Sequence, residues 1–544
     1  MTQAWIAGLG KKLTWFLEKF ADCLPRRAAR QLLADYVSGQ LSDCQRKNAE
    51  AMAFKVHRSP RTLQRFLESV EWDETRLRDR TQQIVAQEHA DPQAILLVDE
   101  SGVPKSGKKT AGVARQWCGR TGKVDNAVVA VHTAWVANDF RALLDTDISL
   151  PQHWADDLPR RREAHIPDDV EFRTKPRIAQ DQIRRALDNG LCPAAVTFDE
   201  LYGRDSKFLD FLEEQHHAFV GEVPGNFHGW ILPPQVLTEA PPNAPQGRGR
   251  KKKYPRLSKR PHISEVQNLM TYSPAFRKQE WRGFRVKDTE RGPVVWEVKT
   301  APLWRTGADG LPARKCLLIV ARNVLNPGEV KYFLANRVPG EDDVTLEWLL
   351  WVAFRRWPVE QVFREEKNEI GMDHFEVRGW GCLHRHYYVS ALSHLFCARL
   401  REEWHQSPKA VVARGDGNVG PAGASAPGAR GSGARGSGAS ASDLLKRSDE
   451  AGRVTVEATD ETTLPPRKLT LEQIRQATSV WLDSADLPAS ARRRRYEQEL
   501  HKMSYHQRRN AQAKKSHTKT RMRRLAELGI DVEGLPSCIP ENTS

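Results

Sequence analysis

The chain of 544 residues has little of what would tie it to a membrane or to an oxidising compartment. It has no run of 18 apolar residues, which a membrane-spanning helix would need, and its N-terminus, MTQAWIAGLGKKLTWFLEKF, is amphipathic rather than typical of a signal peptide. Its eight Cys residues are scattered without a C-x-x-C pair, so neither a structural zinc site nor a disulfide framework is expected. These absences favour a protein of the reducing cytoplasm with no membrane partner.

The chain also has fewer acidic than basic residues, and this imbalance indicates the class of its partner. The chain has 84 Lys and Arg against 69 Asp and Glu, which gives a net charge of +15 and a pI of about 9.4. A basic balance favours a polyanion, and without a membrane segment nucleic acid is the simplest one. The length exceeds what one hydrophobic core can hold, so several domains are expected.

The hydrophobic pattern changes along the chain and predicts an α/β protein with helical flanks. From residue 91, the short apolar runs AILLVD, GVARQWCG and NAVVAVHTAWVA are followed by helices that alternate with PAAVTFD and AFVGEVPG, which predicts a sheet of mixed direction. Residues 1–90 are predicted to form a helical domain. The sheet domain is predicted in two parts, 91–225 and 341–406, the second with a long helix from Thr345, and a β-rich insertion with a basic loop (226–340) separates them. A flexible Gly/Ser/Ala linker (407–445) and a basic helical C-terminal region (446–544) follow.

Two short helices within 1–90 have basic residues at their joint. SPRTLQRFLESV (59–70) begins with Ser59 as an expected N-cap and Pro60 at the first helical position, and it follows the helical pattern of DCQRKNAEAMAFKVH. The pair fits a DNA-reading helix-turn-helix, and it fits an ordinary helical hairpin as well.

Two aspartates stand where predicted strands end. Asp99 follows AILLV and Asp199 follows PAAVTF, and strand ends are where a sheet displays polar side chains to a crevice. Neighbouring carboxylates repel each other unless cations lie between them, and Mg²⁺ prefers such oxygen ligands. A third carboxylate from a nearby helix would complete a two-metal site for phosphoryl transfer. The charge-rich stretch WPVEQVFREEKNEIG (357–371) offers Glu360.

Three ordered motifs resemble the DDE transposases of bacterial insertion sequences. They are LLVDESG with the following GVARQWCG and GKVDNAVVAV, then TFDELYGRD, then RRWPVEQVFREEKNEIGMDHFEVRGW. They are most similar to the IS-four-like superfamily and, within it, to the IS-seven-oh-one-like branch. The family's YREK signature is spaced Y-x2-R-x3-E-x6-K. Arg356, Glu360 and Lys367 match that spacing, and Ala353 stands at the Tyr position.

This resemblance implies an RNase H-like core interrupted by the β-rich insertion, with 1–90 binding DNA ends. It implies that Asp99, Asp199 and Glu360 are the catalytic metal ligands for two Mg²⁺ ions, with Mn²⁺ able to substitute. Arg356 and Lys367 would hold DNA phosphates, and Arg364 lies on the same helical face.

The implied activity is metal-dependent cleavage at the element's terminal inverted repeats, followed by attack of the freed 3′-hydroxyl on target DNA. A homodimer on double-stranded DNA, at the nucleoid of a bacterial cytoplasm, would carry it out. Two alternatives stay open: a transposase-derived DNA-binding protein that no longer catalyses, and a plain metal-dependent nuclease.

Further basic and aromatic residues are candidates for DNA contact. Lys251, Lys252 and Lys253 lie in the basic run 248–260, which predicts a DNA-contacting loop or a solvated, disordered one. Superfamily members use an aromatic side chain of the insertion to hold a flipped base, which suggests Trp296 or Trp304, although most strand tryptophans are core residues. GVPKSGKK (102–109) lacks the Ser or Thr of a phosphate-binding loop, so nucleotide binding is not expected. Its lysines 105, 108 and 109 would touch DNA or form a solvated turn.

The remaining charged residues near these motifs have interpretations that need no catalytic role. Glu365, Glu366 and Glu369 are expected on a solvated helix face, and Glu360 itself could be only a surface ion-pair partner of Arg356 or Arg364. Glu100 and Glu200 directly follow the two aspartates and are possible supports for them. His384 and His386, two apart on a helix, are expected to pack or to contact phosphate rather than to bind a metal.

Overall fold

A computed structural model describes residues 1–240, 253–259, 263–406 and 468–539. The chain forms two compact units, Met1–Arg399 with Leu471–Ser544, and Leu400–Thr470. Only 400–406 and 468–470 of the smaller unit are described. The predicted linker 407–445, the start of the predicted C-terminal region and lysines 251 and 252 lie outside the described residues.

The first sheet of the larger unit is mixed, as the sequence predicts. Its five strands are β1 (Ile95–Pro104), β2 (Ala114–Cys118), β3 (Lys123–Ala137), β4 (Phe140–Ile148) and β5 (Ala195–Phe198). They run in the order β2-β3-β1-β5, with β4 also on β3, and only β1 and β5 are parallel. The continuous apolar runs of β1 and β5 are buried, which is typical of central parallel strands. This mixed sheet with its helical flanks is an RNase H-like α/β arrangement.

Strand β4 is absent from the sequence-based prediction because two aspartates interrupt its apolar pattern. Asp145 and Asp147 are buried, and Arg185 pairs with both at 2.8 and 2.7 Å. That arginine comes from the helix predicted at 178–189. The helices that follow β4 and β5 are α7 (Gln152–Ala155), α8 (Leu158–Glu163), α9 (Lys175–Asp188), α10 (Glu200–Gly203) and α11 (Ser206–Glu214).

The second sheet has seven strands and contains the predicted insertion. Its strands are β6 (Val220–Val223), β7 (His228–Trp230), β10 (Ser264–Glu265), β11 (Arg282–Thr289), β12 (Gly292–Thr306), β13 (Pro312–Asn323) and β14 (Asn326–Ala335). Strand β6, predicted as the fifth strand of the first sheet, pairs with β14 instead. Phe219, just before β6, forms a β-bridge with Val196 of β5, and Gly221 of β6 packs against the Phe198 ring. The boundary predicted at 225 therefore does not separate the two sheets. A short ribbon, β8 (Val236–Leu237) with β9 (Arg256–Leu257), and helices α12 (Val266–Tyr272) and α13 (Pro274–Arg277) complete this region.

The long helix predicted from Thr345 is broken in two. Helix α14 (Leu346–Phe354) is capped by the Thr345 side chain, and α15 (Trp357–Glu365) begins anew with Pro358 in its first turn. Proline lacks the N–H that would continue the preceding helix, so the break falls just before it. A π-helical turn, Glu366–Ile370, follows, and Gly371 ends it at a φ of +80° that favours glycine.

The N-terminal helices pack on the helix after this turn. They are α1 (Gln3–Ala7), α2 (Leu9–Glu18), α3 (Arg27–Leu41), α4 (Ala49–Lys55), α5 (Pro60–Glu68) and α6 (Glu74–Glu88), with a 3-10 turn at Ala21–Cys23. Tyr36 and His386 share a hydrogen bond of 2.8 Å, and Gln40 donates to Ser390 at 2.8 Å, which joins α3 to α16 (Trp380–Gln406). His386 and His384 are buried, so both pack and neither can contact phosphate. Residues 1–90 are therefore not a separate body.

Two helices lie near the C-terminus, α17 (Leu471–Leu482) and α18 (Ala489–Glu527). The second has 39 residues and, at 1.5 Å per residue, is about 58 Å long. Within the described ranges, no helix is long and apolar enough to cross a membrane.

Candidate active site

The strand register brings Asp99 and Asp199 side by side. Val98 of β1 lies opposite Phe198 of β5 in the parallel pair, so the next residues along the chain are two neighbouring aspartates. Asp199 directly follows β5, as predicted, whereas Asp99 lies inside β1, which continues to Pro104, so the prediction that a strand ends at Asp99 was wrong. Asp99 is buried and 8% exposed. Burial raises its pKa to about 7; Arg356 opposes this rise and the charge of Asp199 adds to it. Burial likewise raises the pKa of Asp199, which caps α10 by accepting from the Leu201 amide at 2.9 Å.

Glu360 is joined to this pair through Arg356. The Arg356 guanidinium donates to Asp99 Oδ2 at 3.0 Å and to Glu360 Oε1 at 3.2 Å. The Glu360 side chain is 51% exposed, whereas that of Asp99 is enclosed. Among the described residues, no three His, Cys, Asp or Glu side chains form a ready-made metal-binding group. Arg356, predicted to hold DNA phosphate, is directed at the carboxylates in this structure.

A fourth carboxylate, Glu222, belongs to this cluster and was not predicted. It lies on β6, is 9% exposed, and has one oxygen 3.9 Å from Arg356 Nε. Both of its oxygens accept from Lys331 Nζ, at 2.8 and 2.9 Å, and its charge contributes to the raised pKa of Asp199. The signal in the sequence is a lone acidic residue inside the apolar run of AFVGEVPG.

Glu100 and Glu200, considered as supports, differ in burial. Glu100 is held by Lys175 at 2.7 Å, and burial raises its pKa. Glu200 is exposed at the first position of α10. The charge of Asp199 contributes to the raised pKa of both glutamates, so both lie within its electrostatic reach.

Lysines from two directions approach the carboxylates. Burial lowers the pKa of Lys367 to about 8, and the nearby Arg120 lowers it further, while the charge of Asp99 opposes the shift. Lys287 of β11, not predicted, lies over the Trp357 ring at 5.2 Å, and Glu360 opposes the lowering of its pKa by burial. Arg364 is exposed on α15.

The three other glutamates of the 357–371 stretch are not on a solvated face, so that prediction was wrong. Glu365 is 8% exposed and pairs with Arg141 at 2.5 Å, and Glu369 pairs with Arg475 at 2.8 Å. Glu366 is fully buried, neither of its carboxyl oxygens has a hydrogen-bond partner in the part of the chain that the structure describes, and burial raises its pKa well above the ordinary value. The π-turn and the helices packed over it enclose this face.

The structure does not support base stacking on Trp296. Its side chain is 4% exposed, and its ring centroid lies 5.0 Å from that of Phe354 in the main core. Trp304 is half-buried, with Lys315 Nζ 5.9 Å from its ring centroid. Ala353, at the Tyr position of the signature, is packed in the same core and is 3% exposed.

The lysines that were predicted to contact DNA differ in their surroundings. Lys253 and Lys108 are exposed, and Lys109 pairs with Glu163 at 2.6 Å. Lys105 is turned inward, where its Nζ donates to the Phe375 carbonyl at 2.8 Å. Residues 102–104 continue strand β1, so GVPKSGKK forms no phosphate-binding loop before a helix.

Comparison with known proteins identifies this arrangement. Residues 19–289 match the model of a family described as DDE superfamily endonuclease. Over 225 residues the chain is 30% identical to a probable transposase for insertion sequence element IS701 from Microchaete diplosiphon, which covers 41% of this chain and 55% of that protein. The chain thus spans about half the length of this relative, and the family match ends before Glu360. Residues 19–289 thus carry a DDE superfamily endonuclease domain, and the chain is similar to an IS701 transposase.

Proposed function

We propose that this protein is a DNA transposase that cuts DNA at the ends of its own element and joins the freed 3′-hydroxyl to target DNA. The observation that carries the proposal is the pair Asp99 and Asp199 at one sheet edge, with Glu360 tied to it through Arg356. Its partners would be double-stranded DNA with terminal inverted repeats and a second copy of the chain. It would act in the cytoplasm, at the nucleoid.

Membership of the superfamily implies dependence on a divalent metal ion, and the side chains present fit one. The donors at the sheet edge are carboxylate oxygens, which Mg²⁺ and Mn²⁺ accept. The raised pKa values of the buried Asp99 and Asp199 reflect a charge that the protein alone compensates incompletely. We propose two Mg²⁺ ions, replaceable by Mn²⁺, held by Asp99, Asp199 and Glu360. When bound, such ions stabilise the attacking and leaving oxygens of a phosphodiester exchange.

The chain's own residues would bind and orient the DNA. Lys367 and Lys287 bring positive charge to the carboxylates, and Arg364 is exposed on α15; all three would receive phosphates near the scissile bond. Arg356 has two roles available, because it neutralises carboxylates in this structure and is long enough to contact a phosphate. Glu360, with half of its side chain exposed, is free to turn toward the aspartates once Arg356 releases it.

The test uses the purified full-length protein, an end-containing duplex, and Mg²⁺ or Mn²⁺. Asp99→Asn, Asp199→Asn and Glu360→Gln should each lower the cleavage rate at least ~100-fold, since even residues that support metal ligands cost ~10–100-fold when lost. Glu71→Gln, at an exposed glutamate paired with Arg26, is the matched control and should cleave normally. Wild-type cleavage by Glu360→Gln would refute the assignment of this residue.

Two further outcomes separate the alternatives. Wild-type protein that binds the ends and never nicks them would be a transposase-derived DNA-binding protein. Cleavage of any duplex, without preference for ends and without joining, would indicate a plain nuclease. Stabilisation of the wild type by Mg²⁺ in thermal unfolding, absent in Asp99→Asn, reports on metal binding independently of cleavage.

A further inference from the structure

Helix α18 carries many positively charged side chains that the packing of the fold does not require. Residues 492–524 contain 13 Lys and Arg against two Glu, and 500–526 contain no acidic residue. Twelve of these 13 cations are exposed. Like charges four residues apart, such as Lys515 and Lys519, destabilise a helix, so the pattern weakens α18 unless an anion relieves the repulsion.

The helix is fixed at both ends and exposed between them. Near its start, Gln3 donates to Glu497 at 2.8 Å, and Arg495 donates to the Asp483 carbonyl at 3.1 Å. Near its end, Leu525 is buried in a cluster with strands of the second sheet. Among the described residues of α18, only Tyr496, Met503 and Leu525 are buried, so most of the helix surface between its two ends is exposed.

Five cations form one line on the side of α18 that faces away from the protein. With 3.6 residues per turn, these positions lie opposite the buried Tyr496, Met503 and Leu525. The residues of this outer row are Arg494, Lys502, Arg509, Lys519 and Arg523, all exposed. The row extends over about 44 Å, slightly more than one turn of B-DNA. Within the described structure, its first four members have no carboxylate within ion-pair distance.

The outer row also contains an aromatic ring. The Tyr505 side chain is 55% exposed on the same side of the helix, and Arg509 lies 5.9 Å from its ring centroid. Exposed cations at intervals of one to three turns with an interleaved aromatic are suited to a phosphate backbone. An ordinary charged surface would alternate acidic and basic residues, and here no acidic residue lies between Lys502 and Arg523.

The far end of α18 is attached next to the carboxylate cluster. Arg521 donates to the Thr289 hydroxyl and to the Gly292 carbonyl, both at 3.3 Å, at the turn between β11 and β12. Two residues from Thr289, Lys287 lies over Trp357 and near Glu360. Arg521 lies on the side of α18 that carries the buried residues, opposite the outer row, so a duplex on that row would be separated from the β11–β12 turn by the helix itself.

We infer that α18 is a sequence-independent binding surface for the backbone of double-stranded DNA, with the outer row as its phosphate contacts. The inference rests on the proposed function for the identity of the polyanion, and it assigns the flanking duplex, rather than the scissile bond, to this helix. The contacts are electrostatic, so affinity should fall steeply with salt.

The experiment measures binding of the full-length protein to a 40-bp duplex of arbitrary sequence in EDTA, over a range of salt concentrations. In one variant Gln replaces all five residues of the outer row; in its matched control each Arg becomes Lys and each Lys becomes Arg. At about 0.1 M salt the Gln variant should bind at least ~100-fold more weakly, and its slope of log affinity against log salt should fall by up to ~4.5, about 0.9 per lost contact. The control should bind like the wild type.

The outcomes separate this inference from the proposed function. Affinity and salt slope unchanged in a folded Gln variant would overturn the inference, whether or not the wild type cleaves. An equal loss in the charge-conserving control would overturn it too, as would tighter binding to an RNA hairpin of equal length. Binding and slope as expected, without cleavage in Mg²⁺ or Mn²⁺, would sustain the α18 surface and refute the transposase activity.

Discussion

Neutralising Asp99 should stabilise the metal-free protein while abolishing its activity. The pKa of Asp99 rises from 3.8 to about 7 on folding, because the side chain is buried beside Asp199 and only partly compensated by Arg356. A folded-state pKa above the unfolded one means that the ionised form opposes folding. The cost is absent below pH 3.8, grows between pH 3.8 and 7, and is complete above pH 7.

The free-energy cost of ionising Asp99 in the folded protein follows from the shift in its pKa. At 1.36 kcal/mol per pKa unit, the ionised Asp99 costs about 4 kcal/mol of unfolding free energy above pH 7. Asn at this position removes that cost but loses one of two hydrogen bonds, from the Glu100 amide or from Arg356, which is worth about 1.5–3 kcal/mol where a charge is involved. A net gain of about 1–3 kcal/mol is expected for Asp99→Asn at pH 8.

Thermal unfolding in EDTA at a series of pH values checks this expectation. The melting temperature of Asp99→Asn relative to the wild type should rise between pH 5 and 7 and then level off. Glu365→Gln is the control of opposite sign: Glu365 is also buried, yet its hydrogen bonds to His394 and Arg141 outweigh burial and hold its pKa below the ordinary range. This control should melt lower than the wild type near neutral pH. A pH-independent difference for Asp99→Asn, or a loss as large as that of Glu365→Gln, would refute the reasoning.

Substitutions at three other positions test particular contacts. Ala353→Tyr, although it restores the family signature, should lower stability by about 1–3 kcal/mol in thermal unfolding, because it overfills a packed core; improved cleavage at unchanged stability would contradict this. Trp296→Ala should cost about 3–5 kcal/mol, whereas Trp296→Phe should fold and bind DNA normally; weak binding by folded Trp296→Phe would restore a role in DNA contact. Glu222→Gln should slow cleavage ~10–100-fold with DNA affinity in EDTA nearly unchanged, and a matching loss of affinity would indicate a binding role instead.

The two aspartates were predictable because local pattern and position agree. Each follows an uninterrupted apolar run, and the two runs pair in parallel and in register, although β1 continues past Asp99 and only β5 ends at its aspartate. Glu222 was harder to find, because the lone acidic residue in the apolar run of β6 indicates a site only once Glu222 is seen to lie near Asp199. Strand β4 was missed for the opposite reason, since its two internal aspartates are compensated by an arginine 40 residues away in the chain.

The predictions for the glutamates near Glu360 were wrong because helices distant in the sequence cover them, which local spacing cannot reveal. The charge density of 357–371 suggested a solvent-exposed helix, yet Glu365 and Glu366 are enclosed by α16 and the helices packed on it. The break before Pro358 was legible in the sequence, because proline favours the first turn of a helix. It has a structural consequence, since it places Arg356 at the start of α15, where its side chain reaches the sheet edge.

The burial of the carboxylates divides the site into a fixed part and an adjustable part. Asp99, Asp199 and Glu222 belong to strands or strand ends of packed sheets, so their positions follow from strand register. Glu360 starts from an exposed helix face and is held by one arginine, which it shares with Asp99. Because a single guanidinium makes both contacts, any ligand that draws Arg356 away removes the charge compensation of Asp99 and frees Glu360 at the same time. Under the proposed function, we therefore expect assembly of the three carboxylates to be coupled to the arrival of a DNA phosphate near Arg356.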